Sequence, residues 1–233
     1  MPVDVVWFKR DLRSRDHVPL LSASLSGRPV ICLYVLETER LEQDDTDPIH
    51  IQWELDCAAD LSRTLNDSGA FLHYGLGDAA KVLERIHMEH GIERLLSHEE
   101  TGNSWSYSRD ISVSNFCKSR GIKWIEYPNN GVVRRLGNRD GWKRERDKRM
   151  RDPLSSPPIF KESIPFGGPV PSLEDIGFTP RELSYKPEPG EGAAIDRLDS
   201  FLERDGKDYR WAISSPVLSL KHGSGLSLSL IHI

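Results

Sequence analysis

The sequence is poor in cysteine: Cys32, Cys57 and Cys117 are the three among its 233 residues. They lie far apart and form no C-x-x-C pair, so the sequence excludes a disulfide-stapled scaffold and a cysteine-rich metal site. Reduced thiols, buried as small hydrophobic side chains, are typical of a cytoplasmic protein. We therefore expect a cytoplasmic location for this chain.

Long hydrophobic runs are also missing. No stretch approaches the roughly 20 apolar residues that cross a bilayer, and the early charges begin at Lys9, after the first apolar stretch, where a secretory signal would place them before it. We expect no membrane span, no secretory signal and a monomer. The length of 233 residues, with 37% hydrophobic residues and six tryptophans, predicts one packed α/β domain and part of a second domain.

Net positive charge is absent overall but concentrated in one segment. The chain carries a net charge of −5, yet residues 134–151 hold nine Arg or Lys against three Asp or Glu, so the segment carries +6 and the remainder −11. A solvated, salt-bridged helix and a phosphate-binding surface are both compatible with this run. Trp142 and Met150 favour a helix that packs one apolar stripe on a neighbour.

Residues 1–131 alternate apolar runs with amphipathic helical segments. Predicted helix starts lie at His17, at Asp47-Pro48, at Asp78 and near Ser104. The predicted strands are residues 3–8, 29–36, 71–74, 94–97 and 123–127. This alternation predicts an α/β fold with a five-stranded parallel, doubly wound, Rossmann-like sheet covered by helices on both faces.

The amino-acid composition changes after Gly131. Residues 132–190 comprise the basic segment and a Pro/Gly-rich stretch, and nine of the fifteen prolines fall within 152–192. This composition predicts a long interdomain linker that lies over the surface without regular elements. Apolar residues recur at helical spacing from about Glu191, so residues 191–227 are expected to begin an all-helical domain.

Two motifs suggest chemistry that their context does not support. Gly75 to Ala80 fits G-x-G-x-x-A, but a dinucleotide fingerprint belongs in the first strand-to-helix turn, which here has no glycine. A plain strand-to-helix turn is the better interpretation. His98-Glu99 begins like a zincin motif, but position 102 is Gly102, so one helix face cannot offer two imidazoles to zinc. We expect no metal site, and no Ser-His-Asp arrangement stands out.

Several segments resemble the DNA photolyase and cryptochrome family. Val6 to Arg13 (VWFKRDLR), followed by Asp16-His17, is similar to the family's opening strand and turn. Further resemblance lies in HEETGN at 98–103, Tyr107 with Arg109-Asp110, NGVVRRL at 130–136, Tyr209-Arg210, and Ser224 with Leu226-Ser227. The resemblance covers residues 2 to about 227 and is to a prokaryotic branch of the family.

The resemblance implies a fold and a function. Family members join an α/β domain, which often holds an antenna chromophore, to a helical domain that binds FAD, and they use blue light to repair pyrimidine dimers in UV-damaged DNA. Tyr209, Ser224, Leu226 and Ser227 would then contact FAD. Folate, deazaflavin or lumazine could serve as antenna, with no residue assigned. A cryptochrome photoreceptor is the first alternative, and a stand-alone nucleotide-binding module is the second.

The end of the sequence departs from the family pattern. Gly225 stands where the family has arginine, and residues 228–233 (LSLIHI) match the translation of a sequencing-adapter end. We therefore expect residues 228–233 to be an artefact, although LSLSLIHI could also form an amphipathic strand. On this interpretation the chain is an N-terminal fragment, inactive in repair and with negligible affinity for flavin.

Overall fold

The computed structural model describes residues 1–164, 170–180 and 187–224. One five-stranded sheet forms the centre of the chain. Its strands are β1 (Val3–Phe8), β2 (Val30–Leu36), β3 (Leu72–Leu76), β4 (Ile92–His98) and β5 (Lys123–Tyr127). Nine α-helices lie in the described residues: α1 (Val18–Ser24), α2 (Thr38–Leu41), α3 (Pro48–Asp67), α4 (Ala79–His90), α5 (Ser104–Arg120), α6 (Trp142–Arg149), α7 (Glu191–Glu203), α8 (Tyr209–Ala212) and α9 (Ser219–His222).

The sheet is wholly parallel, in the order β3-β2-β1-β4-β5. The chain starts at the centre, builds outward to β3, and then crosses back to build β4 and β5 on the other side of β1. A ligand crevice in such sheets lies where this order reverses, at the carboxyl ends of β1 and β4. The expected five-stranded, doubly wound α/β fold is confirmed.

Helices cover both faces of the sheet. Successive side chains of each strand point to opposite sides, so each strand offers apolar side chains to both layers of helices. Val6 and Phe8 lie on the face that packs with Leu20 of α1 and Leu55 of α3. On the opposite face, the side chains of alternate strand residues pack with those of α4 and α5. That second cluster includes Val5, Trp7, Ile31, Leu33, Leu83, Leu95 and Val113.

The helix boundaries lie at capping residues that can be recognised in the sequence. Asp47 accepts the backbone N–H of Ile49 at 2.9 Å at the start of α3, and Asp78 accepts that of Lys81 at 2.8 Å at the start of α4. Gly121 has φ +69° and ends α5 in the left-handed region, where glycine has no steric cost. The predicted starts of these helices are confirmed.

The proline-rich segment after α6 is packed more closely than the sequence predicts. Phe160 and Leu173 are buried in the α1–α3 side of the core, and the backbone N–H of Phe160 donates to Ser68 O at 2.9 Å. A single β-bridge joins Ser163 to Val30, and a 3-10 turn spans Glu174–Ile176. Apart from this bridge and turn, the described residues of the Pro/Gly-rich stretch form no regular element, as expected, but Phe160 and Leu173 are buried where a course over the surface was predicted. The role of the segment as an interdomain linker stays a prediction. Prolines prevent a continuous ladder, but they do not prevent isolated apolar side chains from reaching the core.

The basic segment also differs from its interpretation. It does form a helix, α6, but none of the residues in α6 is buried. The side chain of Trp142 is 43% exposed and Met150 is exposed as well. The preferred interpretation, an apolar stripe packed on a neighbour, was wrong, because charged residues occupy seven of the eight positions of α6 and leave no continuous apolar stripe.

Residues 187–224 form a separate group of short helices, called here the helical unit. It comprises α7, a 3-10 turn at Asp205–Asp208, α8 and α9. Helix α7 packs against α3 and so attaches the unit to the α/β domain. Across residues 1–164, 170–180 and 187–224, no helix combines the length and apolar character that spanning a bilayer requires.

Candidate functional site

Charged residues gather at the carboxyl edge of the sheet, which is the edge where such folds bind ligands. Lys9 and Asp11 follow β1, Glu37 follows β2, and His98 and Glu100 lie at the end of β4. Each of these positions comes directly after a buried strand, so the topology brings them together although they are distant in sequence. These residues, with the side chains that contact them, form the candidate site.

Asp11 is the acceptor at the centre of a buried hydrogen-bond cluster. Its Oδ1 accepts the backbone N–H of Lys9 at 2.9 Å, and its Oδ2 lies 3.0 Å from Nε2 of His17 and 2.6 Å from Nδ1 of His98. Nδ1 of His17 accepts the backbone N–H of Leu20 at 3.2 Å, which caps α1. Because Nδ1 of His17 is an acceptor, its Nε2 carries the hydrogen and donates to Asp11.

The three side chains are also of the type that binds metals. The ligand atoms of Asp11, His17 and His98 lie within 4.8 Å of one another, and all three residues are buried. A metal needs the lone pair of each imidazole nitrogen, however, and Nε2 of His17 uses its hydrogen on Asp11. The arrangement therefore fits a hydrogen-bonded clamp that fixes the first strand-to-helix turn against β4.

The ionisation of the clamp agrees with this interpretation. Burial alone would raise the pKa of Asp11, but the hydrogen bonds from His17 and His98 hold this pKa well below its usual range. Burial lowers the pKa of His17 below 6.5, against the raising effect of Asp11. An ionised Asp11 thus accepts from a neutral His17 at neutral pH.

Sequence reasoning missed the clamp because it tested His98 only against a helical zinc motif. A usable signal was present: His17 follows β1 and His98 ends β4, and these strands are neighbours at the centre of a parallel sheet. Asp11 lies six residues before His17 in the same turn. Adjacent strand ends predict proximity even where sequence spacing does not.

Arg109 of α5 forms a second cluster next to the clamp. Its guanidinium is buried and pairs with Glu37 at 2.9 Å, with Asp110 at 2.8 Å and with Glu100. The same group lies 4.9 Å from the ring centre of Trp7. Burial lowers the pKa of Arg109, and the three carboxylates more than reverse this, so the guanidinium stays charged. Burial also raises the pKa of Glu37 to about 7, although Arg109 opposes the shift.

Lys9 completes the filling of the crevice. Its buried ammonium lies 3.4 Å from Asp110 and 3.8 Å from Glu126, and 4.7 Å from the ring centre of Trp7. Lys9 and Arg109, each packed on the ring of Trp7, therefore fill space at the carboxyl end of β1. This geometry counts against a stand-alone nucleotide-binding module.

A cavity opens beside this network, between α5 and the edge strand β5. Its volume is about 730 Å³, which is within the range of small-molecule pockets. Tyr107 and Trp124 offer aromatic surface, while Asp110, Arg134 and Arg135 offer charges. The cavity thus combines the volume of a small-molecule pocket with a mixed aromatic and charged lining.

The glycine-containing turn at 75–80 has a packing role. A Cβ atom on Gly75 would lie 2.7 Å from a methyl group of Val82, so glycine lets α4 approach β3 closely. Strand β3 is at the outer edge of the sheet, away from the reversal of strand order. The interpretation as a plain strand-to-helix turn agrees with this geometry.

The residues predicted to contact flavin fall on the helical unit and beyond it. Tyr209 begins α8, and its half-exposed ring packs edge-on against Phe201 with 5.4 Å between ring centres. Ser224 follows α9, and its carbonyl accepts a hydrogen bond from Nε of Arg197 at 2.7 Å. Helices α8 and α9 pack together. Leu226 and Ser227 lie outside the described residues.

Arg197 is a residue of this region that the sequence did not single out. It also donates to the carbonyl of Gly223 and pairs with Asp205 at 2.6 Å. By holding two successive carbonyls after α9, Arg197 fixes the direction in which the chain leaves that helix. Hydroxyl groups and backbone N–H groups are suitable donors for the phosphates of a flavin nucleotide, and the assignment of Tyr209 and Ser224 to flavin contacts stays a prediction.

One carboxylate joins the helical unit to the candidate site. Oε2 of Glu191, in the first turn of α7, accepts the backbone N–H and the hydroxyl of Ser14, both at 2.9 Å, and Oε1 accepts the backbone N–H of Arg15 at 3.1 Å. Ser14 and Arg15 lie in the turn that also contains Asp11. The helical unit is thus anchored to the middle of the short loop whose two ends, at Asp11 and His17, are held by the clamp.

Comparison with known proteins identifies relatives of this architecture. Residues 4–137 match the family model described as DNA photolyase. The chain is 23% identical over 223 residues to a deoxyribodipyrimidine photo-lyase of Synechococcus sp., covering 87% of this chain and 46% of the relative. It is 26% identical over 224 residues to Cryptochrome-1 of Rattus norvegicus, covering 86% of this chain and 38% of the relative.

A solved structure shares the fold. The crystal structure of a bacterial class III photolyase from Agrobacterium tumefaciens matches with a TM-score of 0.72 at 22% identity, over 91% of this chain and 47% of that chain. The chain thus spans about half the length, or less, of the proteins that it matches. Because the family model covers more than half of its residues, this chain belongs to the DNA photolyase family, which is similar in sequence to the cryptochromes.

Proposed function

We propose that this chain is the α/β domain, the linker and the first helices of a deoxyribodipyrimidine photo-lyase that repairs UV-induced pyrimidine dimers in DNA with blue light. The observation that carries the proposal is the extent of the structural likeness. The match to the Agrobacterium photolyase covers 91% of the chain. It therefore includes much of the helical unit in addition to the α/β domain.

Within this proposal the described residues hold the helical unit in place and position the flavin contacts. Glu191 fixes α7 on the loop of Ser14 and Arg15, and Arg197 directs the chain beyond α9. Tyr209, Ser224, Leu226 and Ser227 contact the flavin. FAD, when bound and reduced, supplies the excited electron that splits the dimer, while the protein provides orientation and a dry cavity. The cavity between α5 and β5 is the place where an antenna chromophore binds.

A cryptochrome photoreceptor is the second candidate. The identity to rat Cryptochrome-1, 26%, is similar to the 23% found for the Synechococcus photo-lyase, so sequence likeness does not separate the two activities. Repair and signalling use the same cofactor, and they differ in whether a dimer is split.

The test uses the complete product of the natural gene, read across the codon of Ser227. The purified protein is illuminated with blue light in the presence of dimer-containing DNA, and the loss of dimers is measured. We expect bound FAD and dimer loss. Bound FAD that is photoreduced without dimer loss would favour the cryptochrome, and a product that binds no FAD would refute both. The 233-residue chain itself is expected to retain no stoichiometric FAD.

A matched pair of variants tests the assignment of Tyr209. We expect Tyr209→Ala to lower the FAD retained per protein, because it removes a ring and a hydroxyl from the flavin contacts. Phe71→Ala removes an exposed aromatic side chain from the α/β domain and should leave FAD content unchanged. Equal FAD content in the two variants would remove Tyr209 from the flavin site.

A further inference from the structure

Helix α6 exposes most of its charge to solvent. Seven cations of the basic segment are exposed. We call five of them, Arg139, Lys143, Arg144, Lys148 and Arg151, the outer basic face. Arg144 and Lys148 are four positions apart in α6, which places them on one side of the helix, and Arg151 follows two residues after the helix ends. Arg144, 84% exposed, pairs weakly with Glu145 at 3.3 Å. An exposed pair of this kind holds its partner loosely.

The other side of α6 attaches the helix to the domain. Arg149 pairs with Glu99 at 3.1 Å and donates to the carbonyl of Val132 at 2.7 Å. Gly131 lies so close to Arg146 that a Cβ atom there would be 2.9 Å from the arginine Cγ. Residues 146 and 149 are three positions apart and lie on the side of α6 that faces the domain, where the side chain of Arg146 is 45% exposed. Helix α6 thus has a fixed side toward the domain and an outer side turned to solvent. The fixed side rests near Glu99, at the carboxyl end of β4.

The composition of the outer basic face limits the chemical class of partner that it can bind. A membrane-surface helix needs an apolar side to insert, and α6 has no apolar stripe. A protein interface depends on buried aromatic or aliphatic anchors at its centre, and this face consists of arginine and lysine. Phosphate contacts require only cations that reach solvent. The local charge of +6, within a chain of −5, is complementary to a regular polyanion.

We propose that the outer basic face of α6 binds the phosphate backbone of duplex DNA independently of sequence. The choice of DNA as the polyanion rests on the proposed function, but the contact itself requires no flavin and no light. It lies on the 233-residue chain, on a helix that follows the α/β domain, and is distinct from the candidate flavin residues of the helical unit. Binding there adds affinity for DNA without selecting a base sequence.

The experiment measures how the 233-residue chain binds a short fluorescent DNA duplex at increasing salt. The test variant is Lys143→Gln/Arg144→Gln/Lys148→Gln, since glutamine removes the charge but keeps helix propensity. Loss of three phosphate contacts should make the slope of log K against log salt less negative by about 2 to 3. Between about 50 and 200 mM salt, the variant should thus lose roughly fortyfold less affinity than the parent chain.

The matched control removes the same charge elsewhere. Lys81→Gln/Arg85→Gln/Lys123→Gln replaces three exposed cations of α4 and β5 and should keep the slope of the parent chain. Circular dichroism establishes that both variants fold. An equal change of slope in both variants, an unchanged slope in the test variant, or no binding of DNA by the parent chain at low salt would overturn the inference. These outcomes leave FAD content and dimer repair, which test the proposed function, untouched.

Discussion

The α/β domain and the helical unit treat large apolar side chains in opposite ways. In the α/β domain, Trp7, Phe8 and Leu33 are essentially inaccessible to solvent. In the helical unit, Trp211 is 80% exposed and Leu202 is 67% exposed. The α/β domain buries its own apolar core on both faces of the sheet. The helical unit leaves exposed the kind of large apolar surface that is usually buried in proteins.

The difference teaches where the stability of this chain resides. Burial of apolar area is the dominant favourable term in folding, and the described residues supply it almost entirely through the sheet and helices α1, α3, α4 and α5. The helical unit adds ion pairs and hydrogen bonds, such as Arg197 with Asp205, but little buried apolar area. We therefore expect the α/β domain to fold without the helical unit, and the unit to depend on the domain.

The largest effect is expected when one leucine is replaced in each region. Leu33→Ala leaves a cavity at the centre of the sheet and should lower the free energy of unfolding by about 2–5 kcal/mol. Leu202→Ala removes an exposed side chain of α7 and should change the free energy of unfolding by less than about 0.5 kcal/mol. Urea unfolding followed by circular dichroism measures both. Similar losses in the two variants would show that the helical unit is part of the core.

The second test concerns the buried clamp. Asp11→Asn turns an amide N–H₂ toward the two imidazoles, and His17 cannot change tautomer because its Nδ1 caps α1. We expect a loss of about 3 kcal/mol in the free energy of unfolding, as when one partner of a buried network is removed. Asp44→Asn, at an exposed position, is the control and should be neutral. A neutral Asp11→Asn would mean that the clamp does not stabilise the fold.

Sequence reasoning recovered the α/β domain because its signals are local. Strand β5 has the predicted boundaries, Lys123–Tyr127, and helix α5 begins at the predicted Ser104, since each is bounded by a cap or glycine that acts on adjacent residues. Phe160 shows the limit, because nothing near it in sequence indicates that it enters a core built 90 residues earlier.

The candidate site was less predictable for the same reason. The clamp of Asp11, His17 and His98 depends on which strands are neighbours, and the strand order is a property of the whole domain. Arg109 was noted only through the family resemblance, and its burial between Trp7 and three carboxylates follows from the angle at which α5 crosses the sheet. The roles of Tyr209, Ser224, Leu226 and Ser227 stay predictions.

The third test separates the two regions. Glu191→Gln weakens the contact of α7 with Ser14 and Arg15, because a neutral amide is a poorer acceptor for three hydrogen bonds than a carboxylate. We expect a loss of about 1–2 kcal/mol in the attachment of the helical unit, seen as faster proteolysis of residues 187–224 with an unchanged urea midpoint of the α/β domain. Glu188→Gln, at an exposed position before α7, should be cleaved at the parent rate. Equal rates for both variants would contradict the role of Glu191.

The smallest effect at neutral pH is expected for Glu37→Gln, since the loss of a charged partner for Arg109 and the relief of a buried carboxylate oppose each other. Its signature is the pH dependence. Burial raises the pKa of Glu37 from its ordinary value of 4.5, which applies to the unfolded chain, to about 7 in the folded protein. Its contribution to the free energy of unfolding is therefore complete below the unfolded pKa and is lost as the pH rises from there through 7. At each pH unit in that window a single group can change the free energy of unfolding by up to about 1.4 kcal/mol. Urea unfolding at pH 5 and pH 8 should therefore show a smaller decrease for Glu37→Gln than for the parent chain. The same decrease in both would mean that Glu37 is ionised throughout, and that the carboxyl edge carries its full negative charge at neutral pH.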